Sequence, residues 1–141
     1  MSLPTTKYCG VVVPMISPFT PAGAIDEPAV GRIVEVLVGG GVGGVFPLGT
    51  TGEGASIHKD DRCKLVEATV KHVNKRSMVY AGIAGNCFRD SVEAAHSYKQ
   101  LGVDAVVAHM PSYYPLTDAE IEEYFRVLAE TPRTPAAEKK P

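Results

Sequence analysis

Two adjacent hydroxyls stand between glycines in the stretch PLGTTGEGAS, residues 47–56. A short apolar run precedes it and a segment of helical period follows. Gly49 and Gly52 permit backbone angles that leave N–H groups pointing outward, and Thr50 and Thr51 add hydroxyl donors. N–H groups beside hydroxyls make a receptor for a small carboxylate or phosphate. The plainer reading is a glycine-rich turn with surface threonines, and the residues alone leave both open. A second cluster, PSYYPLTD at 111–118, sets Tyr113 and Tyr114 just beyond another apolar run. Phenolic hydroxyls relay protons or bind substrate, while exposed aromatics serve interfaces equally well.

The other chemistry-bearing residues are more scattered. His109 ends an apolar run on the side where parallel α/β proteins bind ligands, and reads either as a satisfied interior histidine or as a ligand-facing one. His58, His72 and His96 fall at or within helical segments and are expected to be solvated. No histidine has a partner at metal-ligand spacing, so no metal site and no cofactor are expected. Cys9, Cys63 and Cys87 are far apart and form no CxxC; they read as reduced, mostly buried thiols of a cytoplasmic protein. Gly39, Gly41 and Gly44 satisfy G-x-G-x-x-G, but the pattern follows a helix and precedes a strand. Dinucleotide binding needs the reverse, so these glycines are a helix stop and a tight turn.

Apolar runs of strand length alternate with helical segments four times. The runs at 9–17, 43–49, 77–85 and 103–111 read as buried strands. Helices are predicted over 26–38, 58–74, 89–102 and 117–130. Asp26 is the expected first N-cap with Pro28 in the first turn, Gly102 the expected stop of the third helix, and Thr117 with Glu120 a capping box. Near-continuous apolar strands separated by helices mean a parallel sheet covered by helices. The spacing leaves a doubly wound sheet and half of a (βα)8 barrel both open.

Composition narrows the function classes. The chain has 141 residues, 45% hydrophobic and 21% charged, with a net charge of −2. Charges of both signs are interspersed, so neither nucleic acid nor a membrane surface is an expected partner. The longest apolar runs fall far short of the ~20 residues that cross a bilayer. No basic-then-apolar pattern opens the chain, so no signal peptide is expected. From 131 the chain holds three prolines and no apolar residue larger than alanine, and residues 131–141 are expected to be a disordered tail beside one folded unit over 1–130.

The stretches PMISPFTPAGAID, GGVFPLGTTGEGAS, YAGIAGN and PSYYPLTDAEI occur in the order and spacing of the dihydrodipicolinate synthase / N-acetylneuraminate lyase family, which this chain resembles from about residue 11 to 130. The resemblance implies an α/β fold, the N-terminal half of a (βα)8 TIM barrel with about four βα units and a parallel sheet. It implies a class I aldolase chemistry, in which a lysine on the sixth strand forms a Schiff base with pyruvate or another 2-oxo acid. By match, Thr51 binds the substrate carboxylate with the loop N–H groups, and Thr50 shares that binding and a hydroxyl relay. Tyr113 aligns with the tyrosine that enters the neighbouring subunit's site, and implies a homo-oligomer. Ser112 stands where many members have a further tyrosine.

The fifth-strand tyrosine and sixth-strand lysine of the family are expected beyond residue 131, where only the proline-rich segment stands. Lys59, Lys64, Lys71, Lys75 and Lys99 fall on the outer helical side, and Lys7, Lys139 and Lys140 lie outside the strands. The expectation is therefore a truncated lyase or synthase, inactive alone. The alternatives are a half-barrel that binds a 2-oxo acid, pairs with itself through open edges or pairs with a full-length relative, and a flavodoxin-like domain that binds phosphate at the threonine loop.

Overall fold

The computed structural model describes residues 8–131. Among these, strands β1 (Val12–Pro14), β2 (Gly44–Phe46), β3 (Met78–Gly82) and β4 (Ala105–Val107) alternate with helices α1 (Glu27–Gly39), α2 (Lys59–Val73), α3 (Phe88–Leu101) and α4 (Asp118–Glu130). The strands pair in the order β1-β2-β3-β4, and every pair is parallel.

That order decides between the two architectures. Parallel crossovers are right-handed, so strands added always to the same side carry their helices on one face of the sheet. A doubly wound sheet needs the order to reverse at a switch point, and here it does not. One face is therefore sealed by helices and the other is the concave inner face of half a (βα)8 barrel.

Capping chemistry sets the helix ends. Asp26 Oδ1 accepts from the Ala29 N–H at 2.9 Å, and Pro28 occupies the first turn of α1. His58 and Asn74 bracket α2, and Gly102 closes α3 with a φ of 92°. Thr117 and Glu120 form the reciprocal capping box of α4. The helices thus start and stop within a residue or two of the sequence expectation. The strands are shorter than the apolar runs, because burial continues past the paired segment: Met15, Leu48 and Ile83 lie beyond the strand ends yet are buried.

The core lies between the sheet and the helices. Val30 and Val34 of α1, Leu65 and Val66 of α2, Val45 of β2 and Val79 and Ala81 of β3 are almost wholly buried. Burying each Val or Leu side chain contributes roughly 1.5–3 kcal/mol. Surface pairs such as Lys71 with Glu27, at 2.6 Å, tie α2 to α1 and add little. At the N-terminal ends of the strands Tyr8 spans the sheet. Its hydroxyl donates to the Asp104 carbonyl ahead of β4 at 3.4 Å, and its ring meets Tyr80 edge-on.

Two expectations need correction. Cys9 and Cys87 are exposed and Cys63 is half-buried, because the first two sit ahead of β1 and at the N-cap of α3 rather than on inner faces. His72 is half-buried, not solvated: its ring fills the space that a Cβ on Gly31 of α1 would take, where α1 and α2 approach closely. His96 is half-buried as well, and His58 is exposed as expected. Of the tail expected from 131, Thr131 closes α4 by donating to the Val127 carbonyl at 2.7 Å, and residues 132–141 lie outside the described residues.

Candidate functional site

β2 ends at Phe46 and the chain turns sharply. Leu48 adopts a φ of 63°, and Glu53 a φ of 52°, opening a one-turn 3-10 helix at Gly54–Ser56. Between them the loop folds onto itself. The N–H groups of Gly52 and Gly54 donate to the Gly49 carbonyl at 3.1 and 3.2 Å, and that of Glu53 donates to Thr50 at 3.0 Å. The outward-facing donors expected of the whole loop are thus fewer: Gly52, Glu53 and Gly54 are spent internally. No hydrogen bond among the described residues engages the N–H or hydroxyl of Thr50 or Thr51. Both threonines are exposed.

Neighbouring strands hold the loop in place. Ser17, just after β1, donates its hydroxyl to the Gly52 carbonyl at 2.6 Å. The Gly82 N–H of β3 donates to Pro47 at 3.1 Å. Arg62 of α2 donates through Nε to the Ile57 carbonyl at 2.7 Å, fixing the chain where it enters the helix. A loop held from both adjacent strands and from its own helix keeps the threonines in one place.

The loop walls a cavity of about 500 Å³ at the carboxyl ends of the strands. Phe46, Leu48 and Val107 contribute apolar lining, and Thr50, Glu53, Ser56 and His109 polar lining. Size, position and mixed lining are those of a small-molecule site. Of the residues singled out from sequence, the structure brings Thr50 and His109 to one cavity; Thr51 is beside Thr50 on the loop but not in the lining. Glu53 and Ser56 were not anticipated. The adjacency of GEGAS to the threonines was the available signal, but whether the turn faces the cavity depends on the left-handed residue at its start.

Tyr113 takes a different position. It borders a separate groove with Met110, Tyr114, Leu116 and Ile121, and is 87% exposed with a φ of 85°. The Tyr113 and Tyr114 rings meet edge-on at 4.9 Å. The loop is anchored from behind, where Asn86 Oδ1 accepts from the Ser112 N–H at 2.9 Å and from its hydroxyl at 3.2 Å. Within this chain Tyr113 and Thr50 are not in one site. Lys59, Lys64 and Lys71 stand on α2 and Lys99 on α3, and no lysine lines the cavity among the described residues. No group of three or more metal-binding side chains occurs among these residues, and none of the described helices is long and apolar enough to cross a membrane.

Half a (βα)8 barrel with a hydroxyl-bearing loop at the strand ends is the layout expected of the family to which the motifs pointed. The sequence profile of the dihydrodipicolinate synthetase family matches residues 7–137, and the chain belongs to that family. It is 32% identical over 128 residues to the 4-hydroxy-tetrahydrodipicolinate synthase of Geotalea daltonii, a match covering 91% of this chain and 44% of that protein. Among solved structures it is similar to YagE from Escherichia coli K12, a prophage protein of the dihydrodipicolinic acid synthase family solved in complex with pyruvate. That superposition has a TM-score of 0.84 at 28% identity, over 88% of this chain and 42% of YagE. The N-acetylneuraminate lyase of Mycoplasma synoviae superposes with a TM-score of 0.81 at 26% identity, over 89% and 44% of the two chains. The chain spans less than half the length of each of these proteins, and its sheet corresponds to the N-terminal half of their barrel.

Proposed function

We propose that this chain is the substrate-gripping N-terminal half of a carbon–carbon lyase or synthase that acts on pyruvate or another 2-oxo acid through a lysine Schiff base. The observation that carries this reading is the Thr50–Thr51 pair after β2, with its N–H and hydroxyl groups unengaged among the described residues and Thr50 in the cavity lining. Thr51, on the loop beside the cavity, holds the substrate carboxylate with the N–H groups of the two threonines; Thr50 shares that bond and relays protons. The pyruvate bound to YagE supports the choice of ligand class.

Schiff-base catalysis needs a neutral amine, a fixed carboxylate that aims the ketone, and a proton shuttle. The threonine loop supplies the second of these. Tyr113 acts in the site of a neighbouring subunit, a role favoured by its exposure and by the backbone strain that holds it outward. The amine belongs to a sixth strand and the second tyrosine to a fifth, neither of which is among the four strands described. By itself the chain therefore binds a 2-oxo acid without turning it over.

Thermal unfolding with and without pyruvate tests the grip. Ligand at a hundredfold excess over its dissociation constant stabilises by about 2.7 kcal/mol, a rise of several degrees in melting temperature. Thr50→Val with Thr51→Val should abolish the rise. Borohydride reduction in the presence of pyruvate tests the missing amine. The expected result is no covalent adduct; a stable adduct on this chain would mean that one of its own lysines serves.

A further inference from the structure

His109 lies two residues beyond the end of β4 and lines the same cavity as Thr50, Glu53 and Ser56. Its Nδ1 is 2.6 Å from the Met110 carbonyl oxygen. A carbonyl only accepts, so Nδ1 carries the hydrogen, and the neutral ring retains Nε2 as an acceptor. The same bond restrains the ring at the rim of the cavity.

The rest of the polar wall has a consistent character. Glu53 offers a carboxylate, Ser56 a hydroxyl, and no arginine or lysine among the described residues lines the cavity. Such a wall gives partners to neutral hydroxyl groups and leaves a second anionic group without a counter-charge. The threonine loop follows β2 and His109 follows β4, with β3 between them, so Thr50 and His109 line one cavity from strands on either side of β3.

We propose that His109 is a specificity-determining residue whose imidazole accepts a hydrogen bond from a hydroxyl carried beyond the 2-oxo group, so that this cavity prefers a hydroxylated 2-oxo acid to its unhydroxylated counterpart. This rests on the reading of Thr50 and Thr51 as the carboxylate grip. A site that hydrogen-bonds a substrate hydroxyl discriminates against the analogue lacking it, because its own polar group is then left unpaired.

Calorimetric titration of the chain with 3-deoxy-2-oxogluconate and with 2-oxohexanoate, equal in carbon number, isolates the hydroxyls. The unaltered chain should bind the hydroxylated acid at least about fivefold more tightly, the size of one neutral hydrogen bond. His109→Leu should erase that ratio, by weakening the hydroxylated acid and by relieving the unpaired imidazole when 2-oxohexanoate binds. His109→Gln, which keeps an acceptor, should restore part of it. His109 is exposed, so melting temperatures of both variants should match the parent. An equal ratio in the parent and in His109→Leu overturns the proposal and leaves the grip intact. Failure of both acids to bind removes the grip, and this proposal with it.

Discussion

Leu48 holds a left-handed backbone angle that a branched side chain adopts only when its surroundings impose it. Its carbonyl oxygen is wedged between Gly54 and Gly82, where a Cβ on either glycine would overlap it. That wedge aims the threonine loop, since Thr50 follows two residues later. Gly82→Ala should therefore destabilise the chain by about 1–3 kcal/mol, the usual cost of forcing atoms into a packed site. A lower urea midpoint accompanied by weaker 2-oxo-acid binding is expected; an unchanged midpoint would remove the wedge from the account. The Thr50–Thr51 pair was legible in the sequence because it is a run of adjacent types between glycines. Leu48 was not, because its angle comes from contact with β3, more than thirty positions away.

At the level of elements, α3 packs against α2 through Tyr98, which is 1% exposed. Burial in this interface, with a lesser contribution from the Cys63 thiol and a small opposing one from Arg62, pushes its phenol up to about 12. Burial also raises the Cys63 thiol, with Asp60 and Glu67 adding to it. A group whose folded-state value is raised stabilises the fold fully below its unfolded value, and loses that contribution as pH climbs through the folded one. The Tyr98 contribution is thus complete below pH 10 and lost toward pH 12, a change of roughly 3 kcal/mol over two pH units. Stability measured across that window should fall more steeply in the parent than in Tyr98→Phe. Tyrosinate absorbance should show one residue titrating late, and equal slopes would contradict the assignment. Helix limits were readable because caps are local. The Tyr98 contact was not, because helical period marks which face is buried and not which partner covers it.

For the molecule as a whole, the described residues leave β1 and β4 as sheet edges and supply no further strand to close the inner face. Val11 and Val12 at one edge and Val106 and Met110 at the other are exposed by 67%, 37%, 41% and 47%. Apolar side chains along unpaired edges favour association with like edges. Light scattering across a concentration series should show the chain as a dimer or larger, and Val12→Lys with Val106→Lys should shift it toward monomer. A strictly monomeric parent would contradict this, and would leave the cavity as the property of a single open half-barrel.

The amino-acid sequence alone determined the alternation of strand and helix, the caps, the threonine pair and the family to which these motifs belong. Each of these is written in neighbouring residues or in short periodic patterns, where local sterics and burial act without reference to distant parts of the chain. The tertiary structure alone decided the strand order, and with it the half-barrel over the doubly wound sheet. It also set Glu53, Ser56 and His109 around one cavity while turning Tyr113 away from it. Those outcomes depend on which edges pair and which backbone angles a neighbouring strand enforces, and both are fixed by contacts between segments that the sequence keeps far apart.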